Sequence, residues 1–188
     1  MAVLSNTAIV TALEAGHLVI DPRPDPPPGM AGTPYNTSSV DLHLADEIRI
    51  PRAGLCLEFD LSAGSLPETL DTVYDIRTLP ADGWSLPPHH FVLGRTREKV
   101  GLPLAGGLAA RIEGRSSFAR TGLLIHFTAP TIHANYTGTI TLEMINLGAM
   151  PLKLKPGLRV CQLIVETVQG DILPADSQFQ GQTTTVGR

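Results

Sequence analysis

The chain has 188 residues, among them 18 glycines, 16 prolines and two cysteines, and carries a formal charge of −4. That length supports one sizeable core rather than two ordinary domains, and the acidic balance argues against a basic face for nucleic-acid polymers. No apolar run is long enough to span a bilayer, and residues 1–12 lack the basic start and hydrophobic stretch of an export signal, so the expected location is cytoplasmic, with no membrane partner.

A helix is expected first. Ser5 or Asn6 can cap it, Ile9, Val10 and Leu13 supply the apolar stripe, and Gly16 ends it. Pro22–Pro34 then reads as a loop, because repeated proline continues neither a helix nor a central strand. Short strand patterns follow. Val40–Leu44 and Ile48–Ile50 alternate. Further strands are expected over Leu55–Leu61, Phe91–Thr96, Leu108–Ile112, Leu123–Thr128, Thr139–Ile145 and Val160–Val168. Leu66–Leu79 is ambiguous between a short helix and an insert, and the tail Gln178–Arg188 has no core pattern. Many short strands with glycine and proline between them predict a mainly β sandwich or barrel-like fold. A charged fraction of only 17% suits burial of surface against other subunits.

The two cysteines, Cys56 and Cys161, lie far apart and read as buried small apolar residues. There is no Cys-x-x-Cys and no His-x-Glu beside one. The zinc signature of the common nucleobase deaminases is therefore missing.

Functional residues concentrate between Glu113 and Asn146. Residues 113–120 read Glu-Gly-Arg-Ser-Ser-Phe-Ala-Arg, a turn that presents guanidinium and hydroxyl groups together. Such a set suits the oxygens of a polyanion such as phosphate. Glu143 lies in a strand whose other face carries Ile140, Leu142 and Met144, so it points away from the apolar layer. Spacing alone leaves open a surface or salt-bridged glutamate and a turn with solvated arginines.

Gly-Arg-Ser-Ser-Phe-Ala-Arg at 114–120 together with Thr-Leu-Glu at 141–143 resembles the dCTP deaminase branch of the dUTPase superfamily. The likeness extends to Ala12–Pro22 at one end and to Phe179-Gln-Gly-Gln182 at the other, so one domain spans residues 1–188. It implies a distorted, jelly-roll-like β-barrel with a short N-terminal helix. It also implies a homotrimer with sites between subunits, and a tail, residues 178–188, closing over the nucleotide. The implied reaction is deamination of dCTP to dUTP and ammonia, with Mg²⁺ carried by the triphosphate and no zinc.

The resemblance assigns roles residue by residue. Glu143 is the general base. Ser116, Arg120 and the Ala129 carbonyl hold the attacking water, with Arg120 keeping Glu143 ionised. Arg115 and Ser117 contact the phosphates. Ile132, His133 and Tyr136 line the sugar side, with Tyr136 against the deoxyribose. Gln178, Phe179 and Gln182 belong to the tail, and Asp41 supports the fold. His133 departs from the aspartate common in relatives, which argues against hydrolysis of dUTP, since imidazole is a poorer base for phosphate cleavage. Gln178 and Phe179 depart from a usual lysine and tyrosine. Two other readings stay open: a dUTPase-type diphosphohydrolase, alone or bifunctional, and a catalytically silent nucleotide-binding homologue.

Overall fold

The computed structural model describes residues 2–60, 66–175 and 180–185. Its helices are α1 (Asn6–Glu14), α2 (Leu66–Val73) and α3 (Ser116–Ala119). The strands from the N-terminus are β1 (Val19–Asp21), β2 (Val40–His43), β3 (Glu47–Pro51), β4 (Tyr74–Thr78), β5 (Trp84–Leu86) and β6 (Phe91–Gly101). They continue with β7 (Leu108–Gly114), β8 (Leu123–Leu124), β9 (Thr131–Ile132), β10 (Thr137–Asn146), β11 (Leu152–Leu154) and β12 (Arg159–Thr167).

Helix α1 forms as its sequence directs. Ser5 caps it by accepting a hydrogen bond from the Ala8 N–H at 3.3 Å, Ile9 and Ala12 are buried, and Gly16 leaves the helix at φ 70°. A left-handed residue after the last turn favours glycine because no Cβ meets the carbonyl.

The strands form three sheets rather than a closed barrel among the described residues. One runs β4-β3-β6-β10-β8 with β1 also on β6, a second runs β2-β12-β7-β9, and β5 pairs β11. The β6–β10 ladder is the spine of the first sheet, from Ile145 opposite Phe91 to Thr137 opposite Gly101, with an irregularity between Thr139 and Thr141. Inward-facing Val92, Leu142 and Met144 pack with Leu42, Leu44 and Leu163 in one core cluster. Truncating such a side chain to alanine costs about 2–5 kcal/mol.

A buried acid ties the sheets together. Glu98 on β6 accepts the His43 backbone N–H at 2.8 Å, and His43 Nδ1 lies 2.6 Å from its other oxygen. Burial pushes the Glu98 carboxyl up, but the His43 hydrogen bonds outweigh it, and the carboxyl ends below its ordinary range.

Several expectations are corrected. Residues 52–60 lie outside the strands and are exposed, because β4 takes the edge of β3 that Leu55–Leu61 would need; residue 61 lies outside the described residues. Leu66–Leu79 resolves into α2 followed by β4. The strand over Leu123–Thr128 shrinks to Leu123–Leu124, since only Ile145 and Asn146 of β10 pair with it. β6 runs on to Gly101 with Arg95, Arg97 and Lys99 outward, and it turns Glu98 inward, which breaks the apolar alternation. Strands β1, β5, β9 and β11 are too short to display a period of two. Cys161 is buried as expected, but Cys56 is exposed. No helix is long and apolar enough to cross a membrane among the described residues.

Candidate active site

Glu143 stands on the outer face of β10, opposite Leu93, with Leu142 and Met144 buried on the other side. This is the orientation that alternation predicts. Its side chain is 32% exposed and its neighbour is His126, whose Nδ1 lies 2.9 Å from Glu143 Oε2. The pair is close without hydrogen-bond alignment: Glu143 Oε2 and His126 Nε2 are both buried with no hydrogen-bond partner among the described residues. Unmet polar atoms at one spot call for water or a ligand, because a buried unpaired group costs about 1–3 kcal/mol.

His126 was not anticipated. It lay hidden inside an expected strand, and the shortening of β8 is what frees residues 125–130 to fold over this face. Phe127 packs edge-on against Phe91, with ring centroids 5.7 Å apart, and holds the loop there. Ala129 is exposed in that loop, next to Pro130, whose carbonyl accepts the Ile112 N–H at 3.1 Å.

Ile132 is buried on β9 opposite Ala110, and His133 follows it, exposed. Asn135 adopts φ 72°, which asparagine tolerates better than most side chains. Its N–H donates to the Leu102 carbonyl at 2.7 Å and so sets the turn into β10. Tyr136 packs against the core and donates its hydroxyl to the Thr139 carbonyl. Burial pushes the phenol up to about 12, so it stays a neutral donor.

The tail docks beside this turn. Gln182 bridges Gly138 in parallel, and its carbonyl accepts the Thr139 N–H at 2.9 Å. The Gly181 N–H donates to the Thr137 carbonyl at 2.8 Å. The Gln182 amide donates to Thr141 Oγ1, whose hydroxyl donates to the Thr185 carbonyl. Gly138 has φ 154°, and a Cβ there would meet the Gln182 backbone at 2.8 and 2.9 Å. Only glycine admits the tail this closely. Gln178 and Phe179 lie outside the described residues.

Arg115, Ser116, Ser117 and Arg120 form a second group around α3. The Arg115 guanidinium donates to the Arg159 carbonyl at 3.2 Å, lies 3.6 Å from the buried Asp41 carboxylate and stacks 5.7 Å from the centre of the Phe118 ring. Asp41 is fixed in turn by Asn36 and Gln162 at 2.9 and 3.1 Å. Ser116, Ser117 and Arg120 are exposed. Within one chain, no side-chain hydrogen bond or ion pair among the described residues joins this group to Glu143. Within the chain, the charged partner beside Glu143 is His126. No cluster of three His, Cys, Asp or Glu forms among the described residues.

The dCTP deaminase-like family profile matches residues 3–168. A dUMP-forming dCTP deaminase of Methanobrevibacter smithii is 38% identical over 169 residues, covering 89% of this chain and 81% of that protein. A dCTP deaminase of Marinomonas sp. is 33% identical over 193 residues, covering 98% and 95%. Among solved structures, 2'-deoxycytidine 5'-triphosphate deaminase from Agrobacterium tumefaciens superposes with a TM-score of 0.64 at 19% identity over 88% of this chain, a likeness of fold. This chain spans 48% of that structure's length.

Proposed function

We propose that this chain, which belongs to the dCTP deaminase-like family, converts dCTP to dUTP and ammonia with Glu143 as general base. The observation that carries the reading is the Glu143 carboxylate. It is half-exposed on the outer face of β10, and one oxygen is buried with no hydrogen-bond partner among the described residues. An attacking water gives its proton to that carboxylate as its oxygen bonds to C4. The carboxyl passes that proton to N3 as the C4=N3 double bond opens; the remaining hydroxyl proton then reaches the amino group by way of the same carboxylate, and ammonia leaves as the C4–N bond breaks and C4=O forms. Activation is assigned to the carboxylate because Cys56 and Cys161 are apart, one exposed and one buried, so the chain lacks a zinc-deaminase ligand set.

The phosphates fall to Arg115 and Ser117. Asp41 and the Arg159 carbonyl pre-orient the Arg115 guanidinium, which lowers the entropy cost of gripping an anion. Mg²⁺ accompanies the triphosphate, whose oxygens suit that ion. Ser116 and Arg120 reach Glu143 from a neighbouring copy in a homotrimer, and the Ala129 carbonyl helps hold the water. Tyr136, Ile132 and His133 border the sugar, and the tail, with Gln178, Phe179 and Gln182, covers the nucleotide of this single domain.

A bifunctional reading is favoured by the relatives named dUMP-forming, of M. smithii and of Methanothermobacter thermautotrophicus. His133 opposes it, since no carboxylate lies between Thr128 and Gly138 to orient a water at the α-phosphate. Incubation with dCTP, dCMP and dUTP, with chromatography of each product, tests both. The expected result is dUTP from dCTP and no pyrophosphate from dUTP. Rapid pyrophosphate release would make the enzyme bifunctional, and unchanged dCTP would overturn the deaminase.

A further inference from the structure

Arg159 opens β12 and joins three parts of the chain. Its guanidinium donates to two consecutive carbonyls of the proline-rich loop, Gly32 at 2.6 Å and Thr33 at 3.3 Å. Its own carbonyl accepts the Arg115 guanidinium at 3.2 Å. The register explains how the two arginines meet. β7 pairs with β12 only from Gly114 opposite Cys161, so Arg159 lies beyond that ladder, on the side where Arg115 follows Gly114. Along its other edge β12 advances two residues, Arg159 to Cys161, while β2 advances one, His43 to Leu42. A bulge of this kind leaves one residue out of the ladder and re-aims the strand beside it.

The loop that Arg159 grips is also the one that fixes Asp41. The Pro34 carbonyl accepts the Asp41 N–H at 2.8 Å, and the Asn36 amide donates to Asp41 Oδ1 at 2.9 Å. Gln162 donates to the same oxygen at 3.1 Å. Both amides thus engage Oδ1, and Oδ2 is the oxygen that lies 3.6 Å from Arg115. Arg159 therefore bears on both groups that hold Arg115: on its own carbonyl directly, and on Asp41 by way of the loop. A planar guanidinium suits this task, because its fork can donate to two adjacent carbonyls at once.

We infer that Arg159 is a positioning residue for the phosphate grip: it locks the proline-rich loop against the β12 bulge and so holds Arg115 in the orientation that meets the nucleotide. The inference rests on the reading of Arg115 as a phosphate ligand. A free arginine loses rotamer freedom when it closes on an anion, and one already held by a carbonyl and a carboxylate loses less. Contacts to phosphates remote from C4 are made alike in the ground and transition states. Their loss therefore shows in KM rather than in kcat.

The test compares Arg159→Met, which keeps the stem and removes the donors, with Arg159→Lys, which keeps a charged donor. Steady-state turnover of dCTP reads kcat and KM, and calorimetric titration with dCTP in the Glu143→Gln background reads Kd without reaction. Arg159→Met should raise KM and Kd about tenfold with kcat nearly unchanged, and Arg159→Lys should recover most of that loss. In an Arg115→Ala background the same Met substitution should add a loss of about twofold or less, because the group it positions is gone. A full further loss there would show that Arg159 acts without Arg115, and would overturn the inference. So would a lowered melting temperature with Kd unmoved, the mark of a purely structural clasp. Arg159→Gln serves as the neutral variant if Met does not fold. A wild-type protein that leaves dCTP untouched overturns the deaminase reading, while the binding cycle still decides the part of Arg159. An Arg115→Ala variant that binds dCTP undiminished removes Arg115 from the phosphates, and this inference with it.

Discussion

His126 Nδ1 stands 2.9 Å from Glu143 Oε2, reaching from the loop after β8 to the outer face of β10. The imidazole packs on one oxygen and leaves the half-exposed carboxylate open on its other side. That arrangement suits a group that must hold its orientation yet exchange a proton.

Glu143→Gln should therefore remove deamination and spare folding. The amide is nearly isosteric but accepts no proton from water, and losing a general base costs about 10²–10⁴-fold in rate. Steady-state turnover of dCTP by the purified variant checks this; more than half of wild-type activity would remove Glu143 from the mechanism.

Gly138→Ala should block the tail. The added Cβ would fall 2.8 Å from the Gln182 carbonyl oxygen, which is backbone and cannot swing aside. The expected variant folds, exposes residues 180–185 to protease and loses most turnover. A tail as protected as in the wild type would refute the steric argument.

Glu98→Gln should lower stability by about 1–3 kcal/mol at neutral pH, since it weakens charge-assisted bonds to His43. The sign with pH follows from a folded-state carboxyl below its ordinary range. That contribution is complete above the unfolded carboxylate range and fades as pH falls through the folded value. Melting temperatures of wild type and variant should thus converge in acid and separate above about pH 5. A constant gap across that range would show that Glu98 acts through packing rather than charge.

The proposed homotrimer predicts complementation. Arg120→Ala and Glu143→Gln homotrimers should each be nearly inactive, whereas mixed trimers regain activity at sites that draw Arg120 and Glu143 from intact copies. Light scattering of an active monomer at micromolar concentration, or no recovery on mixing, would contradict shared sites. Full activity after deletion of residues 178–188 would contradict the tail's part.

Sequence patterning alone was enough for the capped helix α1, the mainly β character and the outward turn of Glu143. Each of these depends on local periodicity or on a residue with one dominant physical preference. The same patterning failed at residues 55–60, where alternation promises a strand only if an edge is free to receive it, and β4 had taken that edge. It also failed along β6, because Glu98 is buried through His43, a partner 55 residues away. Which side chains meet at the site was a tertiary matter. His126 reaches Glu143 through the fold of one loop, and no spacing in the chain encodes that contact. The docking of Gln182 on Gly138 belongs to the same class, since it joins residues from the tail and from β10 by backbone hydrogen bonds that are blind to side-chain type.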